Sequence, residues 1–448
     1  MIPTENKYPE AFISRMNKLL GNESEAFLKS LDTSSPVSVR INPYKPTTQF
    51  DNEESVTWCT RGKYLAERPS FTFDPPFHAG TYYVQEASSM FVEQAWNQIM
   101  ENETATSKAL NVLDMCAAPG GKSTHLLSLM NAHSLLVSNE VIPGRNNILQ
   151  QNIVKWGTAN CVVTQNNPID FAKLENFFDV ILIDAPCSGE GMFRKDKNAI
   201  AEWSEQNVEM CVVRQKDILQ NAVACLKPGG YIIYSTCTFE PIENDLQIAA
   251  SGLTAVPIET ENFGQQRMEY GYQFYPHQIK GEGFYIALLK KAGDWTPGNN
   301  RPDSSSAKQV NPIALKYLQQ PEGFNIFQKK DFLFAMPQSL FSDFRYLERF
   351  LYVRHAGVYL GTTKGKDFLP AHDLALSIHL QNDLPSIELT YNEAIAFLRC
   401  ETPRIQSDLR GWCLATYQGQ RLGWMKMMEG RFNNYMPKEL RILKQSST

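Results

Sequence analysis

The chain has 448 residues, 43% of them hydrophobic and 20% charged, with a formal net charge of −5. That length accommodates roughly two to four domains of ordinary size, and the acidic balance excludes indiscriminate coating of nucleic acid by the whole surface. Nine cysteines without a C-x-x-C pair or a tight Cys/His cluster argue against a zinc site and fit a reducing cytoplasm.

The N-terminus, MIPTENKYPEAF, lacks a basic start followed by an apolar run, and no apolar run is long enough to span a bilayer. Residues 5–31 carry Phe12, Met16, Leu19, Leu20, Phe27 and Leu31 at helical spacing. SVRIN at 38–42 reads as a short strand, 43–80 as irregular, and QEASSMFVEQAW at 85–96 as helix. From 109 onward strand and helix alternate. Strands are expected at 109–115, 135–140, 161–165, 179–185 and 231–237. Helices are expected at 121–130, 144–156 and 206–226. LKPGG, before the last of these strands, reads as a helix stop and turn. Such alternation predicts a parallel sheet covered by helices on both faces. GFYIALLKK at 283–291 adds a further strand, and 292–311 is a linker by composition. Beyond it lie FLFAM, LYVRHAGVYLGTT, a helix at 391–400, and a hairpin in WCLATYQGQRLGWMKMM turning at Gln418–Gln420. Residues 421–448 hold six basic residues against two acidic ones, a local positive balance in an acidic chain.

DMCAAPGGKSTH joins the first strand of the alternating region to its helix. Small residues there let the backbone approach a ligand, and a helix N-terminus stands behind them. The loop lacks G-x-G-x-x-G and phosphate-loop spacing, which disfavours a dinucleotide or a triphosphate. Glu140 lies 20 residues after Gly120, at the end of the second strand, where a carboxylate takes ribose hydroxyls. Loop and acid together point to S-adenosylmethionine; the alternative is a tight turn with a surface glutamate.

Asp184 and Cys187 in FDVILIDAPCSGEGMFRKD follow one central strand, and Cys237 in YSTCTFEPIEND ends the next. A lone strand-end cysteine is more often a small buried hydrophobe. Two of them beside an aspartate on a cofactor rim suit methylation of a pyrimidine at carbon 5, which needs a thiolate to add at carbon 6. The residues alone leave open which thiol attacks.

Four stretches, GTYYVQEASSM, LDMCAAPGGKSTH, ILIDAPCSGEGMFRK and LKPGGYIIYSTCTFEPIEND, resemble the RNA (cytosine-5)-methyltransferases of the Sun/nucleolar-protein group. With SVRIN and HQIKGEGFYIALLKK the likeness covers roughly residues 35–291, and RFNNYMPKELR resembles the PUA-like end of the bacterial small-subunit rRNA branch. The resemblance implies that Cys237 is the nucleophile, that Cys187 serves product release, and that Asp184 contacts the cytosine and lies near the cofactor. It implies that Cys116, Ala117, Ala118, Pro119, Gly120, Gly121 and Lys122 hold the methionine part of the cofactor. Glu140 then takes the ribose and Arg145 lines the pocket. Asn166 stands where members usually carry an acid near the adenine.

The expected fold is an α/β, Rossmann-like methyltransferase sheet with an N-terminal α+β region and a C-terminal PUA-like β-rich module. The expected divisions are 1–75, 76–292 (catalytic), 293–312 (linker), 313–390 (intermediate α+β) and 391–448 (PUA-like). The expected activity is S-adenosylmethionine-dependent cytosine-5 methylation of rRNA by a cytoplasmic monomer with no metal. The alternatives are the same chemistry on tRNA, or an idle ribosome-assembly factor. Arg194, Lys195 and His277 are candidates to face RNA, as are Arg421, Trp424 and Lys426. His125 is expected to pack, and Arg40 to serve either structure or RNA.

Overall fold

A computed structural model describes residues 7–103, 108–296, 312–364 and 367–444. The helical stretch expected over 5–31 is two helices, Glu10–Leu20 and Ser24–Ser30, broken where Gly21 adopts φ +53°. Phe12, Met16 and Phe27 are fully buried, packed with Phe193, Trp203, Phe239 and Tyr275. The N-terminal helices thus sit on the loops that follow the two cysteine motifs. Strands β1 (Val37–Ile41), β2 (Gly62–Leu65) and β3 (Tyr82–Val84) form an antiparallel sheet in the order β2-β1-β3. Because β3 pairs with β1, the N-terminal unit runs to Val84, past the expected boundary at 75. The helix expected from 85 begins as a 3-10 turn at Ser88–Phe91 and becomes α-helical over Val92–Asn102.

The alternating region forms five parallel strands: β4 (Asn111–Asp114), β5 (Leu135–Asn139), β6 (Cys161–Thr164), β7 (Phe178–Asp184) and β8 (Leu226–Thr236). Their order is β8-β7-β4-β5-β6. Val112, Leu136, Val180 and Leu182 pack into one core, while Leu113, Val137, Ile181 and Ile183 pack into another. Both faces are covered, as near-continuous apolar strands require. The crossover from β4 runs to β5 and the one from β7 runs to β8, in opposite directions, so the β4/β7 gap is the topological switch point where ligands bind. LKPGG is not a turn ahead of β8 but an irregularity within it. Leu226 already pairs with Phe178, and the register shifts before Tyr231 pairs with Val180.

Strands β9 (Thr254–Val256), β10 (Gln266–Arg267), β11 (Tyr272–Phe274) and β12 (Phe284–Lys290) extend the sheet antiparallel beyond β8. Residues 297–311, most of the expected linker, lie outside the described residues. After them come β13 (Phe324–Lys329), β14 (Phe332–Pro337), β15 (Val353–Ala356), β16 (Val358–Lys364) and β17 (Asp367–Pro370). LYVRHAGVYLGTT is split at Gly357 between two sheets. β15 pairs antiparallel with β6 at the edge of the catalytic sheet, while β16 joins β13, β14 and β17. Gly357 has φ +63°, and a Cβ there would lie 2.0 Å from the Ala335 carbonyl oxygen. The expected intermediate region is therefore built into the catalytic unit, and its Phe341, Phe344 and Leu347 share the core of Ile181 and Ile183.

The C-terminal sheet is β18 (Ser386–Glu388), β19 (Gly411–Tyr417), β20 (Gln420–Met428) and β21 (Arg431–Asn434). It begins before the boundary placed at 391, because β18 pairs parallel with β19. The hairpin turn is Gln418–Gly419, with φ of +50° and +72°, the backbone that a two-residue hairpin loop demands. Thr390 and Glu393 form a capping box that starts the helix Tyr391–Leu398. Among the described residues, no helix is long and apolar enough to cross a membrane.

Candidate active site

The loop after β4 is held open by its neighbours. Ala117 N–H donates to the Asn139 carbonyl (2.8 Å). Arg145 Nη2 donates to the Ala118 carbonyl, and Asn152 Nδ2 to the Pro119 carbonyl, both at 2.8 Å. Gly120 takes φ +110°, a conformation other residues rarely adopt. Behind the loop, Asp114 is fully buried and accepts a hydrogen bond from Ser123 Oγ (2.7 Å). Burial pushes its carboxyl up to about 7.

Lys122, in the first turn of the following helix, reaches across the switch point to Asp184 at the end of β7 (2.8 Å). Ser235 Oγ donates to the other Asp184 oxygen (2.9 Å). Burial opposes the Lys122 charge, but Asp184 outweighs it and holds the ammonium above its ordinary range.

β7 and β8 run side by side with Asp184 opposite Ser235. The chain leaving each strand therefore brings its cysteine to the same place. Cys187 Sγ and Cys237 Sγ are 3.3 Å apart, and Cys237 N–H points at Cys187 Sγ (3.3 Å). Contact with Cys237, then burial, raises Cys187 well above the ordinary thiol range. Cys116 is also raised, by burial and by the surrounding carboxylates. A cavity of about 500 Å³ lies over this rim, lined by Cys116, Ala117, Ala118, Pro119, Gly121, Lys122, Asp184 and Cys237. Tyr83, Gln85 and Glu86 close it from the N-terminal unit. Cys237 opens onto the cavity, and Cys187 stands behind it.

Residues 101–290 match the family of 16S rRNA methyltransferase RsmB/F. Residues 8–87 match the N-terminal domain of 16S rRNA methyltransferase RsmF, and 384–442 match the methyltransferase RsmF PUA domain. The chain is 30% identical over 445 residues to Ribosomal RNA small subunit methyltransferase F of Shewanella loihica, covering 90% of this chain and 88% of that one. It belongs to the small-subunit rRNA methyltransferase F family. A second relative with the same name, from Aliivibrio fischeri, is 28% identical and covers 96% of this chain and 97% of its own. Among solved structures, a methyltransferase homolog protein from Pyrococcus horikoshii aligns with a TM-score of 0.53 at 26% identity, over 63% of this chain and 95% of its own. NSun6 from the same organism, solved with SFG, aligns at 0.54 and 18% identity, over 64% and 99%, a likeness of fold.

Not every residue singled out from the methyltransferase F sequence reaches the cavity. Glu140 is buried, accepts from Ile142 N–H (2.8 Å) and lies 3.4 Å from Arg145. That pair braces the loop through Ala118. Asn166 is turned away from the cavity. Its side chain accepts from Tyr352 N–H (2.9 Å) and donates to the Tyr352 carbonyl (3.2 Å), so both ends of the amide hold the segment entering β15.

Several candidates for facing RNA prove structural. Arg194 is buried on Glu282 (2.9 Å) and the Gly281 carbonyl (2.6 Å). His277 is buried against Phe27 and Glu23. Trp424 is 1% exposed, with Nε1 on the Ala371 carbonyl (2.8 Å), and Arg421 donates to Ser377 and Asn382. Arg40 lies over Trp156 and donates to Gln85, Thr124, Ser128 and Gly121. His125 packs as expected, bonded to Glu93 beside Cys59, with burial holding it down to about 4. Lys195, which lines the cavity, and Lys426 remain at the surface.

Sequence reasoning missed the layer behind the thiols. Ser188 and Thr238, each directly after a cysteine, hydrogen-bond to each other (2.8 Å). Ser188 N–H and Oγ donate to Glu243, and Thr238 Oγ1 donates to Glu190. Both glutamates are fully buried. Their place inside the two motifs is the signal that was available.

Proposed function

We propose that this chain transfers a methyl group from S-adenosylmethionine to carbon 5 of a cytosine in small-subunit rRNA. The observation that carries the reading is the pair of sulfurs 3.3 Å apart beside the Lys122–Asp184 ion pair, on the rim of the glycine-loop cavity. The cavity fits the cofactor. A Cβ on Gly121 would crowd the Tyr83 ring at 3.2 Å, so glycine lets the loop lie close against that wall of the cavity. Residues Cys116–Lys122 would hold the amino-acid end, with Glu140 and Arg145 bracing the ribose side. When bound, the cofactor supplies an electrophilic methyl group.

The chain's own residues prepare the base. Cys237 as thiolate bonds to carbon 6, and the electron pair displaced into the ring makes carbon 5 nucleophilic. Asp184 and Lys122 face the polar ring edge, where negative charge develops. Once carbon 5 is methylated, its proton must leave and the carbon–sulfur bond must break. Cys187 gives its proton to the departing Cys237 sulfur and takes up the proton from carbon 5. The double bond re-forms, Cys187 is again a thiol, and Cys237 ends as a thiol whose proton passes to solvent before the next attack, the one proton the overall substitution releases. The base must be unstacked for the sulfur and the methyl donor to reach opposite faces.

The relatives' shared name supports small-subunit rRNA over tRNA as the substrate. Lys195, Lys426 and the C-terminal sheet position the RNA, and the protein works as a single chain in the cytoplasm. Transfer of tritium from labelled cofactor tests the reading, with naked 16S rRNA, assembled small subunits and tRNA as separate substrates. Label on small-subunit rRNA, and one 5-methylcytosine missing by bisulfite sequencing in a strain lacking the gene, is the expected result. Label on none of the three would sink it.

A further inference from the structure

The two thiols are alike in chemistry and touch each other, yet the proposed reaction needs one to attack as thiolate and the other to hold a proton. That requirement rests on the reading above; what breaks the symmetry lies behind the sulfurs. Glu243 accepts three hydrogen bonds, from Ser188 N–H (3.0 Å), Ser188 Oγ and Gln215 Nε2 (2.9 Å). Burial pushes the Glu243 carboxyl up, and these donors oppose it; the Ser188 N–H and the Gln215 amide can only donate, which favours the acceptor-only carboxylate. Two of the three come from the residue adjoining Cys187, whereas Thr238, adjoining Cys237, reaches Glu243 through its hydroxyl alone and shares that hydroxyl with Glu190 (3.2 Å). Gln215 also donates to the Pro186 carbonyl (3.0 Å), closing the ring around the Cys187 turn.

We propose that Glu243 is a positioning residue for this reaction, fixing the Cys187 turn and keeping that sulfur in the thiol form so that Cys237 is the one that attacks. A buried negative charge next to Cys187 disfavours a second one on its sulfur. The remaining ionisable groups around Cys187 do not reverse this. Cys237 and Tyr234 lie on and after β8, Cys211 on the long helix behind Glu243, and Glu190 beyond Thr238. Asp184, on its own strand, is neutralised by Lys122. Among these groups, the direct influences raising Cys187 beyond burial are Cys237 and Glu243. With Cys187 protonated, its S–H donates across the 3.3 Å contact and shares the charge of the Cys237 thiolate.

Iodoacetamide alkylation of the full-length protein, without cofactor or RNA, reads each sulfur separately by peptide mass spectrometry. Scanning from about pH 6 to about pH 10 gives the pH of half-maximal rate, which reports ionisation independently of access. In the wild type, Cys237 is expected to reach half-maximal rate at least about one pH unit below Cys187. In Glu243→Gln the Cys187 profile is expected to move down by about one unit, and in Glu243→Asp to return toward the wild type. A wild-type Cys187 that ionises at or below the pH of Cys237 would overturn the proposal, whether or not the variants fold. So would an unmoved Cys187 profile in a folded Glu243→Gln protein. Because the assay contains no substrate, its outcome is separate from that of the methyl-transfer test.

Discussion

A sulfur that leaves carbon 6 must be helped away, and the neighbour 3.3 Å off is the group in place to help. Cys187→Ser is expected to stall after methylation and accumulate a covalent protein–RNA adduct, seen as a retarded band in denaturing gels. Cys237→Ser is expected to form none; the reverse pattern would move the nucleophile to the DAPCSG motif. Lys122→Met removes the cation facing Asp184, and methyl transfer is expected to fall by about 10²-fold or more at unchanged thermal stability. Glu190 gives a pH signature. Burial pushes its carboxyl up to about 7, opposed by Phe239 N–H and Trp203 Nε1. A folded pKa above the unfolded one favours folding at low pH, and that contribution is lost as pH rises from about 4.5 through about 7. The thermal midpoint of Glu190→Gln, relative to the wild type, is therefore expected to rise between pH 5 and pH 8, by the equivalent of about 3 kcal/mol. The glycine loop, Lys122, Asp184 and both cysteines were legible because each sits a fixed, short distance from a strand end. Asn166 was not, because the backbone that engages it belongs to Tyr352, far along the chain. Glu190 and Glu243 were passed over, because what seals that region is the packing of Phe12 and Phe27, from the far N-terminal end of the chain.

At the scale of elements, two glycines carry geometric demands that can be tested. A Cβ on Gly191 would lie 2.5 Å from the Gly283 carbonyl oxygen and 2.8 Å from that of Cys237. Gly191→Ala must push the Cys237 backbone, and activity is expected to drop well before the thermal midpoint does. Gly357→Ala meets both positive φ and a backbone oxygen, so it is expected to destabilise by about 1–3 kcal/mol in a denaturant melt. Its place also explains an element the sequence could not divide. LYVRHAGVYLGTT alternates as one strand, and nothing local says that its halves serve different sheets. β4, β5 and β7 were readable because burial on both faces leaves continuous apolar runs. The three-residue β18 is too short to show any period, and its parallel partner is remote in sequence.

For the whole molecule, the C-terminal module is packed into the protein as well as matched to a PUA domain. Trp424 fills a core shared with Tyr317, Leu318 and Leu360. Trp424→Ala is therefore expected to cost about 3–5 kcal/mol of stability, measured by chemical unfolding, whereas Lys426→Ala is expected to weaken RNA binding without that loss. The acidic overall charge told nothing of this division, since it averages over modules whose surfaces differ. The pairing of β15 with β6 has a consequence for synthesis. At translation rates of about 5–20 residues per second, β6 emerges from the ribosome roughly 10–40 s before the strand that covers its edge. Throughout that interval the nascent sheet offers an open, apolar edge, the kind of surface that recruits other chains. Helices and sheet can assemble as they appear, but the nascent methyltransferase must keep that edge shielded until a segment from beyond its catalytic motifs arrives to close it.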